Sequence, residues 1–208
     1  MAGPAITALI LAGGRGSRMD GRDKGLQPWR GQPLVCHALQ RLQAQPLVGH
    51  IAISANRHLP DYRALGLPVW PDRLPDHPGP LAGFLSGLEH STTPLLLTVP
   101  CDTPGFPLTL AARLAHALAA TQADLAMARA PDPDEPPGSP LHNQPAFCLL
   151  RRELHADLAD FLAGGGRKIG AWAARQRCVH VDFDLPEDRR DAFRNLNTLA
   201  DLHEPHAP

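Results

Sequence analysis

No stretch of this chain approaches the roughly 18 consecutive apolar residues that a membrane-spanning helix needs. No basic block precedes the first apolar run, MAGPAITALILAGG, so that run reads as a first strand and not as a signal peptide, with the cytoplasm as the expected location. Cysteine is sparse. Cys36, Cys101, Cys148 and Cys178 lie far apart and form no C-x-x-C pair, which argues against a disulfide framework or a zinc site and for reduced thiols. Eleven histidines are scattered, without H-E-x-x-H spacing. Net charge is nearly absent, at −1 from 20 Lys plus Arg and 21 Asp plus Glu. That balance argues against a broad nucleic-acid or membrane surface. No internal repeat is visible.

What is there is 208 residues, 43% of them hydrophobic, enough for one α/β domain with a sizeable core spanning residues 1–208. Apolar runs alternate with helical periodicity. Residues 5–12, 50–55, 68–70, 94–100, 123–130, 145–151 and 178–183 read as strands. Residues 33–45, 80–90 and 107–121 read as helices, with shorter ones near 60–66, after 151 and after 167. The two glycines of PLAGFLSGLEH predict close helix packing. Residues 130–141, with five prolines, predict an exposed, mobile loop with no regular element. A last short helix is followed by a frayed tail, 203–208. Such alternation predicts a three-layer α/β fold with a mostly parallel sheet. Ligands then bind beyond the carboxyl ends of the strands.

LAGGRGSRM, residues 11–19, follows the first strand directly. It is not a Walker loop, because no lysine follows the glycines at the required spacing. It is not a dinucleotide fingerprint, because Met19 stands where the third glycine belongs. Between Arg15 and Arg30, five basic residues face two acidic ones. Glycine exposes backbone N–H groups that wrap a triphosphate, and the basic side chains neutralise it. The alternative is a plain strand–helix turn with solvated arginines. Further on, VPCDTPGFP places Asp102 at the end of a buried strand. A carboxylate there suits Mg²⁺, which takes one or two carboxylates plus phosphate oxygens; the alternative is a cap for the helix that follows. Cys101 reads as a small packed residue and not as a nucleophile.

LAGGRGSRM, DKGL (23–26), ISANR (53–57), GPLAG (79–83), PCDTP (100–104) and NLNT (195–198) together resemble the molybdenum cofactor guanylyltransferase family, over nearly the whole chain. The resemblance implies a Rossmann-like nucleotidyltransferase fold. It implies transfer of GMP from GTP to the terminal phosphate of molybdopterin, with release of pyrophosphate. Under it, Leu11, Ala12, Gly13 and Gly14 form the nucleotide turn, and Arg18 and Lys24 hold the β- and γ-phosphates. Asp102 binds Mg²⁺. Ser54 and Asn56 fall in the guanine-contacting segment, and Asp72 stands near the nucleotide or merely in a turn. Arg167 and Lys168 receive the pterin phosphate or start a helix in solvent. Asn195 and Asn197 join them as second-substrate residues; Asn197 completes the metal or phosphate shell near Asp102, or Asn197 and Thr198 cap the last helix. The anionic phosphate nucleophile needs no strong base, so catalysis is positioning plus charge neutralisation. Transient contact with cofactor-biosynthesis proteins or recipient molybdoenzymes is the expected partnership. A cytidylyltransferase or sugar-phosphate nucleotidyltransferase is the rival enzyme reading. A non-catalytic nucleotide-binding regulator is the rival of another class, and the presence of both Lys24 and Asp102 weighs against it.

Overall fold

The computed structural model describes residues 6–12, 23–72 and 79–203. The first apolar run forms β1 (Ile6–Leu11). A short hairpin follows, β2 (Pro28–Trp29) and β3 (Gln32–Pro33), then α1 (Leu34–Gln43), β4 (Val48–Ser54), α2 (Leu59–Arg63), β5 (Val69–Trp70) and α3 (Pro80–His90). Next come β6 (Leu95–Pro100), α4 (Leu110–Thr121), β7 (Leu125–Ala130) and β8 (His142–Arg151). Then follow α5 (His155–Ala163), α6 (Ile169–Ala173), β9 (Cys178–Asp182) and α7 (Leu199–His203).

Seven strands form one sheet in the order β5-β4-β1-β6-β8-β7-β9. β1 pairs in parallel with β4 and β6, β4 with β5, and β7 with β9; β8 alone runs opposite to both its neighbours. Side chains of β1 enter two cores in turn. Ile6, Ala8 and Ile10 join α1, α2 and α4 through Val35, Leu42, Tyr62 and Leu114. Leu9 meets α3, α5 and α6 through Phe84, Leu158 and Trp172. Burial on both faces is what a helix-covered parallel sheet demands, and each buried Leu, Ile or Phe side chain contributes about 1.5–3 kcal/mol. The three-layer expectation is therefore met.

The glycines of α3 do pack closely. A Cβ on Gly87 would lie 2.7 Å from a methyl of Leu9 and 2.8 Å from one of Leu96. The hairpin β2–β3 is an addition that periodicity did not predict. Its turn residues Arg30 and Gly31 both have positive φ, 49° and 81°, as a two-residue type I′ turn requires. β8 begins at His142, three residues before the predicted start, with Pro145 inside it. The β7–β8 register shifts between Met127 and Arg129, which accommodates a proline in a central strand. Residues 131–141 hold no helix or strand, as their prolines predict.

Candidate active site

The chain reverses its order of strand addition at β1: β4 and β5 lie on one side of it, β6 on the other. That is the switch point at which open α/β sheets bind ligands. Register brings the three strand ends level, since Leu11 pairs with both Ser54 and Pro100. Two backbone bonds continue the lacing past the strands: Ala12 N–H donates to Ser54 O at 2.8 Å, and Cys101 N–H to Leu11 O at 3.1 Å. Ala12, Asp102 and Ser54 therefore emerge along one edge.

Lys24 returns to that edge from a 3-10 turn, Lys24–Leu26. Its Nζ donates to Asp102 Oδ2 at 2.8 Å and to Asn197 Oδ1 at 2.5 Å. Both charged side chains are mostly shielded, at 22% and 18% exposure, so solvent screens the pair only in part. Asn197 arrives from the far end of the sequence. The preceding residue anchors it, because Leu196 N–H donates to Asp102 O at 2.8 Å. Thr103 Oγ1 donates to Asn195 Oδ1 at 2.5 Å, a second tie between the two segments. The structure thus brings Lys24, Asp102, Asn195 and Asn197 together. Asn197 does not cap α7 with its side chain. Thr198 does, as Asp201 N–H donates to Thr198 Oγ1 (3.1 Å) while Asp201 Oδ2 accepts from Thr198 N–H (2.8 Å) and Asn197 N–H (2.7 Å). This is a reciprocal capping box.

Two residues that sequence reasoning missed hold Lys24 in place. Asp23 is 5% exposed, and its Oδ1 accepts from Gly25 N–H (3.1 Å) and from Tyr62 O–H (2.5 Å). Tyr62 is the chain's only tyrosine and is fully buried. Burial, then the Cys101 and Asp23 neighbours, push its hydroxyl far above the usual range, so it stays a donor. Gly25 admits nothing larger, since a Cβ there would come within 2.4 Å of Tyr62 Oη. Adjacency to Lys24 was the signal available in the sequence; the partner 39 residues away was not. Cys101 is buried, and burial followed by the charges of Asp102 and Asp23 raises its thiol, in keeping with a packed role.

On the other side of β1, Asn56 and Asp72 pair through two bonds. Asn56 Nδ2 donates to Asp72 Oδ2, and Asp72 N–H donates to Asn56 Oδ1, each at 2.7 Å. Ser54 is 3% exposed, and its hydroxyl lies under Gly83, where a Cβ would come within 2.8 Å of it. Of the two, Asn56 is the more open to a ligand. Arg167 and Lys168 are exposed. Arg167 donates to the Leu162 and Gly166 carbonyls, and its backbone lies near Gly79 at the start of α3. Gly13, Gly14 and Arg18 fall outside the described residues.

Beside Asn195 and Asn197 opens a cavity of about 370 Å³, lined also by Asp132, His142 and Gln144. Ligand atoms of Asp132, Glu135 and His142 lie within 4.8 Å of one another there. The sequence offered no spacing that joins them.

A family model described as MobA-like NTP transferase domain matches residues 8–179. The molybdenum cofactor guanylyltransferase of Acidovorax sp. (strain JS42) is 59% identical over 199 residues, covering 95% of this chain and 93% of that one. Among solved structures, molybdopterin-guanine dinucleotide biosynthesis protein A from Archaeoglobus fulgidus superposes with a TM-score of 0.72 at 18% identity, covering 94% of each chain. 4-Diphosphocytidyl-2C-methyl-D-erythritol synthase from Anaerococcus prevotii gives 0.71 at 13% identity, covering 95% of this chain and 92% of that one. Identities this low show a shared fold.

Proposed function

The chain belongs to the MobA-like NTP transferase family, and from that premise we propose that it transfers GMP from GTP to the terminal phosphate of molybdopterin, releasing pyrophosphate. The observation that carries the reading is the convergence of Lys24, Asp102 and Asn197 at the switch point of the sheet. The name of the Acidovorax relative supports the choice of reaction.

Lys24 carries a point charge on a flexible stem, suited to following phosphate oxygens as charge moves onto the departing pyrophosphate. Arg18 joins it in this reading. The donor set at Asp102 fits a hard divalent cation, Mg²⁺. Asp102 Oδ2 and Asn197 Oδ1 already flank one cationic nitrogen, and Asp102 Oδ1 has no hydrogen-bond partner among the described residues. When bound at Asp102, the ion supplies Lewis-acid stabilisation of phosphate charge. The remaining work is positioning. Ala12 and the glycine turn set the nucleotide, and the Asn56–Asp72 pair faces the base. Guanine presents N1–H and N2–H₂ donors, for which a carboxylate oriented by an amide is the matching acceptor. The cavity at Asn195 and Asn197 admits the pterin, whose anionic phosphate attacks the α-phosphorus in line. Arg167 and Lys168 are further candidates for the pterin phosphate. The product then passes to an acceptor, through transient contact with cofactor-biosynthesis proteins or recipient molybdoenzymes. No described helix is long and apolar enough to cross a membrane, which is consistent with a cytoplasmic setting.

The test is pyrophosphate release from GTP, CTP or ATP with molybdopterin and Mg²⁺. GTP is expected to lead by about a hundredfold, since two unpaired buried polar groups cost about 1–3 kcal/mol each. Preference for CTP would move the chain to cytidylyl transfer with the same fold and metal carboxylate.

A further inference from the structure

Arg194 and Leu196 line a second cavity, of about 310 Å³. Its walls come from the β2–β3 hairpin, α1, the turn at Pro104 and Gly105, and residues 189–196. Among the described residues, four arginines line it, Arg30, Arg41, Arg189 and Arg194, with one carboxylate, Asp191. Arg189 already grips that carboxylate, with Nε at 3.0 Å and Nη2 at 2.9 Å. Arg41 is half-buried. Its Nε donates to Phe106 O, and its guanidinium carbon lies 5.6 Å from the centre of the Phe106 ring. Neither Nη1 nor Nη2 of Arg41 has a partner among the described residues, and no carboxylate neutralises it. Burial, and then the charge of Arg189, lower the Arg41 guanidinium below its usual range: a half-buried cation stands near a second, exposed one.

Such an arrangement costs the protein free energy unless an anion lies between the cations. Arginine forks match phosphate oxygens in geometry as well as charge. The wall opposite is held in shape: Arg30 lies 4.6 Å over the Trp29 ring, and His37 meets the same ring edge-on at 4.7 Å. We propose that this cavity is a second anion site, which takes a phosphate group, free or esterified to a small molecule, on Arg41 and Arg189. It is separate from the Lys24–Asp102 group. Leu196 lines this cavity, while its neighbour Asn197 meets Lys24. A bound phosphate therefore presses on the segment whose Leu196 N–H holds the Asp102 carbonyl.

Trp29 is a built-in reporter, and Trp172, fully buried with its Nε1 bonded to Asp157, is the internal control. The experiment follows the indole N–H resonances of the whole chain during titration with inorganic phosphate, then with glycerol 3-phosphate, at constant ionic strength set by chloride. The Trp29 signal is expected to shift and saturate while Trp172 stays fixed. R41Q and R189Q should each weaken the midpoint by about tenfold, the loss expected for a charged hydrogen bond. R189Q changes an exposed side chain, so its effect is readable even if R41Q perturbs folding. K24A should leave the midpoint unchanged. Tighter binding of the ester identifies an esterified ligand, and equal or weaker binding identifies the free anion. A Trp29 signal that ignores phosphate, moves equally in chloride, or is abolished by K24A and untouched by R189Q overturns the site. No nucleotide is used, so the result stands apart from the assignment of GMP transfer.

Discussion

The two halves of the sheet hold their charges in different ways. Around β7 and β9, arginine forks hold two carboxylates. Arg129 grips Asp182 through Nε (2.7 Å) and Nη2 (2.9 Å), and Arg177 grips Asp124 through the same atoms at 2.7 and 2.6 Å. Arg113, on α4, adds a different tie: its Nη1 alone reaches both oxygens of Asp188, at 2.8 and 2.7 Å, while Nη2 donates to Asp182 O. At the ends of the parallel strands the contact is Lys24 on Asp102, one ammonium shared with the amide of Asn197. A fork fixes two planes against each other, whereas an ammonium turns freely and trades one oxygen for another. The forks therefore hold β9 and the segment after it in place. In the proposed reaction it is the lysine pair that is suited to exchange with phosphate.

Asp102→Asn breaks this contrast most severely. The amide keeps the shape and leaves the Asp102 backbone carbonyl to hold Leu196, but removes the charge that faces Lys24 and that would hold the proposed metal. Turnover should fall by about a hundredfold to a thousandfold, the range seen when one preorganised charge contact to a transition state is lost. The melting curve should stay cooperative. Near-normal turnover at saturating Mg²⁺ in a folded variant would remove Asp102 from the metal site.

Lys24→Ala comes next. A charge-assisted contact is worth about 1.5–3 kcal/mol, so GTP affinity should drop by about tenfold to a hundredfold. Calorimetry measures it. Unchanged affinity together with an unchanged rate would show that the triphosphate lies elsewhere. Asn56→Ala acts on the base and not on the phosphates. It removes the amide that orients Asp72. The advantage of GTP over CTP should shrink by about tenfold, for the loss of one or two hydrogen bonds, with the rate at saturating GTP little changed. An unaltered preference would move base recognition off this pair.

Much of this arrangement is legible before any coordinates. Asp102 stands out because LLLTV must be a buried strand and PCDTP must end it. Lys24 stands out because a glycine turn precedes it and no Walker spacing explains it. What periodicity leaves open is direction and distance. β8 reads as a strand in either orientation; it lies antiparallel between β6 and β7, and the connection 131–141 holds no helix that would carry a parallel crossover. The β2–β3 hairpin is two residues a side, too short to show alternation, and Arg30 at positive φ is not a residue that announces a turn. Tyr62 and Asp23 are polar residues buried for each other, and nothing local in either segment names its partner. Asn197 and Thr198 are adjacent and chemically alike as caps, yet one serves Lys24 and the other serves α7.

That last division gives the mildest test. Thr198→Ala removes the cap acceptor of α7, at a cost of about 0.5–2 kcal/mol, with the low end expected for a short helix near the chain end. Turnover should fall by only a few-fold, because Leu196 still anchors the segment on Asp102 and Asn197 keeps its amide. The effect carries a pH signature. Burial alone would raise the Asp201 carboxyl, but the N–H groups of Thr198 and Asn197, with the Thr198 hydroxyl, outweigh it and hold the carboxyl below its usual value. A carboxyl whose folded pKa lies below its unfolded value of about 3.9 contributes fully above that pH and loses its contribution as pH falls through the folded value. Protection of the Asn197 and Thr198 amides, relative to the intrinsic exchange rate at each pH, should therefore be full near neutrality and fall in acid in the wild type. In Thr198→Ala protection should be lower throughout and still fall in acid, since Asp201 keeps its bonds to both amides. If turnover in Thr198→Ala falls as far as in Lys24→Ala, the capping box and the lysine contact form one unit, and the separation between structural and exchangeable charge contacts fails at the segment that joins the two halves.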